Sequence, residues 1–111
     1  MEDINRIEIY GTVGCVRVNE ISGSKVVSFS VRTDYGYINT EGYAICESTW
    51  HTAVATQGDA AQPASSDVSE IQTGARIRLT GRMRNSRYIS ADGSEKMFAE
   101  IVVQSFLVIG K

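Results

Sequence analysis

Histidine, proline and tryptophan each occur once in the 111 residues, and cysteine only twice. One imidazole, His51, removes the multi-histidine metal sites and leaves little for a catalytic dyad or triad. Cys15 and Cys46 are far apart, form no C-x-x-C and have apolar or small neighbours, so they read as reduced structural thiols, not zinc ligands or a redox pair. No apolar run approaches the roughly 18 residues of a membrane helix. The opening MEDINRIEIY is acidic where a secretory signal is basic, so the expected address is cytoplasmic. With no nucleophile motif, no paired-carboxylate motif and no cofactor fingerprint, neither an enzyme nor a bound cofactor or metal is expected. The formal charge of −2 argues against a surface that coats nucleic acid all over, yet it leaves room for a local basic patch.

What is present is a globular composition, 42% hydrophobic and 22% charged with ten glycines, in a length that suits one domain spanning residues 1–111. The positive charge concentrates in residues 74–98, GARIRLTGRMRNSRYISADGSEKMF. Five arginines and Lys96 face only Asp92 and Glu95 there, a local excess of four positive charges. Arg76, Arg78, Arg82 and Arg84 share one parity with Thr80, and Ile77, Leu79 and Met83 share the other. Successive strand residues point to opposite faces, so the pattern predicts a strand with a buried face and an arginine face. The Asp92-Gly93 pair marks a hairpin tip before a last strand, residues 97–108 (MFAEIVVQSFLV).

Upstream, residues 5–14 (NRIEIYGTVG) alternate as a half-buried strand, with Ile7, Ile9, Gly11 and Val13 on one parity. Gly11 and Gly14 fit a bulge or bend better than a phosphate loop, which needs a lysine and a helix. A polar turn at residues 19–25 precedes a second strand, in which Val27, Phe29 and Val31 alternate with Ser28, Ser30 and Arg32. Residues 34–42 (DYGYINTEG) read as a long hairpin loop, whose Tyr35 and Tyr37 either pack back on the wall or bind a ligand. Residues 43–55 (YAICESTWHTAVA) form a third strand. Its single tryptophan, Trp50, belongs by pattern to the core, with a ligand platform as the alternative, and His51 reads as a packed or interface residue. In residues 57–74, Asp67 followed by Glu70 three positions later predicts an N-cap and a short helix, carrying Val68 and Ile71 inward and ending near Gly74. Three strands, a short helix and two more strands make the all-β OB-fold, a five-stranded Greek-key barrel that commonly binds oligonucleotides.

Five separated stretches then resemble one family. NRIEIYGTVG, VSFSVRT (27–33), TWH (49–51), GARIRLTGRMR (74–84) and DGSEKMFAEIVV (92–103) are similar, in order and spacing, to the successive strands of bacterial single-stranded-DNA-binding proteins (SSB). The resemblance implies OB barrels that associate as homotetramers, sometimes dimers, and stack bases on outer-face aromatics. By position, these are Tyr37, Trp50 and Tyr88. A further family ring falls near Thr56, where this chain has none, so weaker or shorter-footprint binding is expected. The family's longer helix is replaced by the small-residue segment 57–73. Its acidic-tipped tail, which recruits replication and repair proteins, is also missing before Lys111. That difference weakens the expectation of recruitment and fits equally a mobile-element variant or a relative of the tail-less primosomal replication protein N, an adaptor working through protein contacts.

The expected function is therefore sequence-independent single-stranded DNA binding in replication, recombination or repair. Arg32, Arg76, Arg78, Arg82, Arg84, Arg87 and Lys96 would contact phosphates, and Tyr37, Trp50 and Tyr88 would stack on bases. Duplex DNA, with its bases already stacked on each other, is expected to be a poor ligand. The bland alternative is a solvated arginine face paired to Glu8, Glu47 or Glu100 on neighbouring strands.

Overall fold

A computed structural model describes residues 3–21, 23–56 and 68–110. Five strands, β1 (Ile7–Ile21), β2 (Ser24–Ile38), β3 (Ala44–Thr56), β4 (Arg76–Ile89) and β5 (Glu95–Gly110), close into a barrel in the order β1-β2-β3-β5-β4. This is the OB-fold. All pairings are antiparallel except β3 with β5, where Ala53 meets Ile101 and Val54 meets Val102. A parallel pair needs a long crossover, and the chain between Thr56 and Arg76, followed by β4, supplies it.

The period-two pattern decides which side chains go in. Ile9 and Val13 on β1, Val27, Phe29 and Val31 on β2, Ile77 and Leu79 on β4, and Ile101 and Val103 on β5 are all buried in one cluster. The single 3-10 turn Val68–Glu70 rests against β2 and delivers Val68 and Ile71 into the same core, as their spacing predicts. Among the described residues that turn is all the helix there is. The chain must reverse at once, because Gly74 donates to the Val13 carbonyl at 2.9 Å and the Val13 amide donates to Ala75 at 2.8 Å. The expected N-cap at Asp67, and the segment 57–67 as a whole, lie outside the described residues.

Two features of β1 and β2 shape the outer surface. The register between β1 and β2 shifts between Val13 and Val16, so Gly14 and Cys15 together oppose Ser30, and the Cys15 amide donates to the Ser30 hydroxyl at 2.9 Å. The bulge expected of Gly11 and Gly14 is present at Gly14, whereas Gly11 keeps regular register opposite Ile77. The expected long loop at residues 34–42 is not. β2 continues to Ile38, with Tyr35 opposite Glu47 and Tyr37 opposite Ile45, and the reversal is compressed into residues 39–43. Asn39 makes this possible by accepting the amides of Glu41 (3.0 Å) and Tyr43 (2.9 Å), while Gly42 takes the positive φ of 88° that the turn requires. The Asp92-Gly93 tip behaves as predicted, closed by the Ser90 amide to the Ser94 carbonyl at 2.9 Å. Both hairpins are ribbons that run past the barrel: beyond Gly81, β4 pairs with β5 alone, and beyond Arg32, β2 pairs with β3 alone.

Candidate nucleic-acid interface

Register alone assembles the centre of the outer face. Arg76 lies opposite Thr12, Thr12 opposite Arg32, and Arg32 opposite Trp50, so four outward residues form one row across β4, β1, β2 and β3. Trp50 is 59% exposed, which resolves its alternation in favour of the outer face. Its indole has room because of the bulge: a Cβ on Gly14 would lie 2.5 Å from Cζ3 and 2.9 Å from Cη2 of the ring. The missing side chain lets the ring lie down against β1. Arg76 donates from Nη1 to the Thr12 hydroxyl at 2.9 Å, and its guanidinium carbon stands 4.4 Å from the centroid of the Tyr10 ring. Arg78 is directly opposite Tyr10, and Arg32 pairs with Asp34 at 3.4 Å. A groove of about 270 Å³ continues from this row over the bulge, lined by Arg17, Ser28, Ser30 and Thr52 among others.

The ribbons distribute the remaining predicted residues unevenly. Along β2–β3, Tyr37 has the parity of Tyr35, Ile45 and Glu47, whereas Trp50 has that of Arg32, Asp34 and Ser48. Tyr37 and Trp50 therefore occupy opposite faces of that ribbon. Tyr37 donates its hydroxyl to Glu47 at 3.1 Å and lies 5.9 Å from the Tyr35 ring. On the β4–β5 ribbon, Arg82, Arg84, Ser86 and Tyr88 share a face with Lys96, Phe98 and Glu100, and the Tyr88 and Phe98 rings are 5.9 Å apart. Arg87 is on the other face, bound to Glu95 at 3.0 Å.

The carboxylates separate the arginines into two groups. Arg84 is held by Glu100, through Nε at 3.0 Å and through Nη2, so the paired-face alternative holds at that position. It fails at Glu47, which takes the Tyr37 hydroxyl. Among the described residues, Arg76, Arg78, Arg82 and Lys96 have no carboxylate partner. Residues 74–98 alone pointed to neither Tyr10 nor Arg17. Their neighbours come from other strands, and only the alternation of β1 hinted that Tyr10 faces out.

Two carboxyls are shifted. Asp92 falls to about 2 because it accepts from the Ser90 hydroxyl and from Ser94, which locks the hairpin tip. Burial pushes the Glu100 carboxyl up, but hydrogen bonds from Ser86 (2.6 Å) and Arg84, with the Arg84 charge, outweigh it and leave the group below its ordinary value. A carboxyl depressed in the folded state stabilises it above the unfolded pKa, and that contribution is lost as pH falls through the folded one. Glu100→Gln should therefore melt below the wild type at pH 7, by an amount equivalent to about 1 kcal/mol. The gap should close as pH is lowered from about 5 toward 3. Thermal melts of both proteins across that range check this, and a gap independent of pH would contradict it.

No protein-family model and no curated protein sequence matches the chain. Solved structures do. The Plasmodium falciparum SSB in complex with ssDNA aligns with a TM-score of 0.80 at 19% identity, over 98% of this chain and 97% of that one. A deletion mutant of the single-stranded DNA binding protein from Thermus aquaticus aligns with a TM-score of 0.73 at 14% identity, over 96% of this chain and 50% of that one. At these identities the likeness is one of fold.

Proposed function

We propose that the protein binds single-stranded DNA without sequence preference, stacking bases on exposed rings and holding phosphates with arginines. The observation that carries this is the outer-face row Arg76, Thr12, Arg32 and Trp50, in which an exposed indole shares a strand-crossing line with two guanidinium groups. A flat ring accepts any unpaired base, and a guanidinium accepts any phosphate, so the arrangement favours single strands and is indifferent to sequence. The fold supports the reading, since similar structures are those of an SSB bound to ssDNA and of a single-stranded DNA binding protein.

In this reading Arg76, Arg78, Arg82 and Lys96 make the first phosphate contacts, because no carboxylate among the described residues competes for them. Arg32, Arg84 and Arg87 contribute by exchanging Asp34, Glu100 and Glu95 for phosphate. Trp50 is the platform on the barrel wall, and Tyr88 and Tyr37 extend the surface along the two ribbons. Because Tyr37 faces away from Trp50, a strand using both must wrap the edge of the β2–β3 ribbon. Replication, recombination or repair is the setting we propose. The proposed assembly is a homotetramer, with a dimer as the alternative. It is supported by β1, whose residues 16–21 pair with β2 and, among the described residues, with no strand on the other side, an edge that another copy could extend. Light scattering showing a monomer would remove that part. The binding itself is tested by titrating oligo-dT against Trp50 fluorescence, with a duplex of equal length as the control; duplex binding as tight as single-strand binding would overturn the reading.

A further inference from the structure

We propose that Tyr10 and Arg76 together form a second base-stacking subsite, on the barrel wall, that takes one unpaired nucleotide of a bound strand. The inference rests on the function proposed above and adds a site to it. Tyr10 is 49% exposed, and it lies in the part of β1 that pairs with β4. An outward aromatic on a strand normally packs against apolar cross-strand neighbours. Here the residue directly opposite is Arg78, those diagonal to it are Arg76 and Thr80, and its own strand offers Glu8 and Thr12 on the same face. Among the described residues, none of these flanking positions holds an apolar side chain. Among the described residues its one ring contact is the Arg76 guanidinium at 4.4 Å, and its hydroxyl has no hydrogen-bond partner.

Arg76 is held in place. Its bond to the Thr12 hydroxyl fixes one nitrogen and keeps the guanidinium over the ring, so ring and cation are a stack before any ligand arrives. A base can stack on an aromatic ring or on a guanidinium plane. The nitrogens that Thr12 does not use have no other partner among the described residues and can donate to a phosphate of the same strand. One place thus offers both halves of nucleotide recognition, a flat surface and a fixed donor, with Arg78 beside it to add charge.

Its position gives the site a consequence for the path of the strand. Tyr10 is one outward step along β1 from Thr12, and Thr12 is in the row that ends at Trp50 two strands away. From strand spacing and rise, the two platforms are about 12 Å apart. Arg32 and Thr12 lie between them. A strand engaged at both crosses the wall from β3 over β2 to β1 and β4, at an angle to the strands, instead of following only the ribbons. Trp50 and Tyr10 also share the outer face directly, which Trp50 and Tyr37 do not.

The test is fluorescence anisotropy of a labelled oligo-dT with the full chain as wild type, Tyr10→Leu and Tyr10→Phe. Tyr10→Leu should weaken binding about 5- to 150-fold, the range for losing one stacked base, and Tyr10→Phe should stay within about twofold because the ring is kept. The salt dependence should not change, since no cation is lost. Thermal melting of each variant reads folding, and Tyr10→Thr, a strand former without a ring, replaces the leucine variant if that one melts early. Wild-type binding with Tyr10→Leu equally tight would overturn the subsite and leave the proposed function standing. Absence of binding by the wild type would overturn both.

Discussion

Gly81→Ala, which adds a single methyl group to the barrel wall, is expected to lower the melting temperature steeply. Gly81 is buried where β4 passes between Ile7 of β1 and Val103 of β5. A Cβ there would meet the Val102 carbonyl oxygen at 2.2 Å, its carbon at 3.0 Å and the Ile101 side chain at 3.1 Å. Two of those atoms are backbone, and backbone in a closed barrel cannot swing aside as a side-chain tip does. The register of β4 with β5 already shifts between Thr80 and Gly81, so the close approach is built into the ladder. Relief requires β5 to move away and weaken the β4–β5 pairing. Overpacking costs about 1 to 3 kcal/mol and occasionally more, and the upper end applies here. At roughly 4 to 8 °C per kcal/mol for a small domain, the melting temperature should fall on the order of 15 °C. Circular dichroism melts of the two proteins measure this. A shift of only a few degrees would mean that the strands are not packed at Gly81 as described.

The second large effect is on binding. Trp50→Ala should cost about 1 to 3 kcal/mol of single-strand affinity, a loss of roughly 5- to 150-fold, with little change in stability. The indole is 59% exposed and rests on the β1 bulge, where Gly14 leaves the space it occupies. Removing it opens no core cavity, so the barrel has no large penalty to absorb. For DNA the change is larger, because a stacked base loses its platform while Arg32, opposite on β2, keeps its charge. The variant should therefore bind more weakly with the same salt slope as the wild type. Filter binding with labelled oligo-dT reads affinity without the lost fluorophore. A variant that binds as the wild type does would show that the row of Arg76, Thr12, Arg32 and Trp50 is a solvated surface.

Most of the barrel was legible in the sequence because it is written with period two. Val27, Phe29 and Val31, or Ile77 and Leu79 against Arg76 and Arg78, declare their faces without any knowledge of partners. The turn at Asp92-Gly93 was equally plain. The β2–β3 hairpin was not, because Gly36, Asn39 and Gly42 scatter turn signals over a stretch of which only the last part turns. Gly36 is inside β2, opposite Cys46. Treating that stretch as loop also erased the parity that sets Tyr37 against Trp50. The site was less legible than the fold because it depends on cross-strand register. That Arg84 is held by Glu100 and Arg76 is not, or that Gly14 clears the ground for Trp50, follows from residues between 16 and 64 positions apart meeting across strands. No local pattern carries that information.

If rings and cations on one barrel bind single-stranded DNA together, one titration reads both parts. Oligo-dT added to the protein at a series of salt concentrations should quench Trp50, the only tryptophan. With Arg76, Arg78, Arg82 and Lys96 bound to no carboxylate among the described residues, the logarithm of affinity should fall against the logarithm of salt with a slope of about −3, at about 0.7 per phosphate neutralised. No quenching and no saturation at low salt would mean that this barrel does not bind single-stranded DNA.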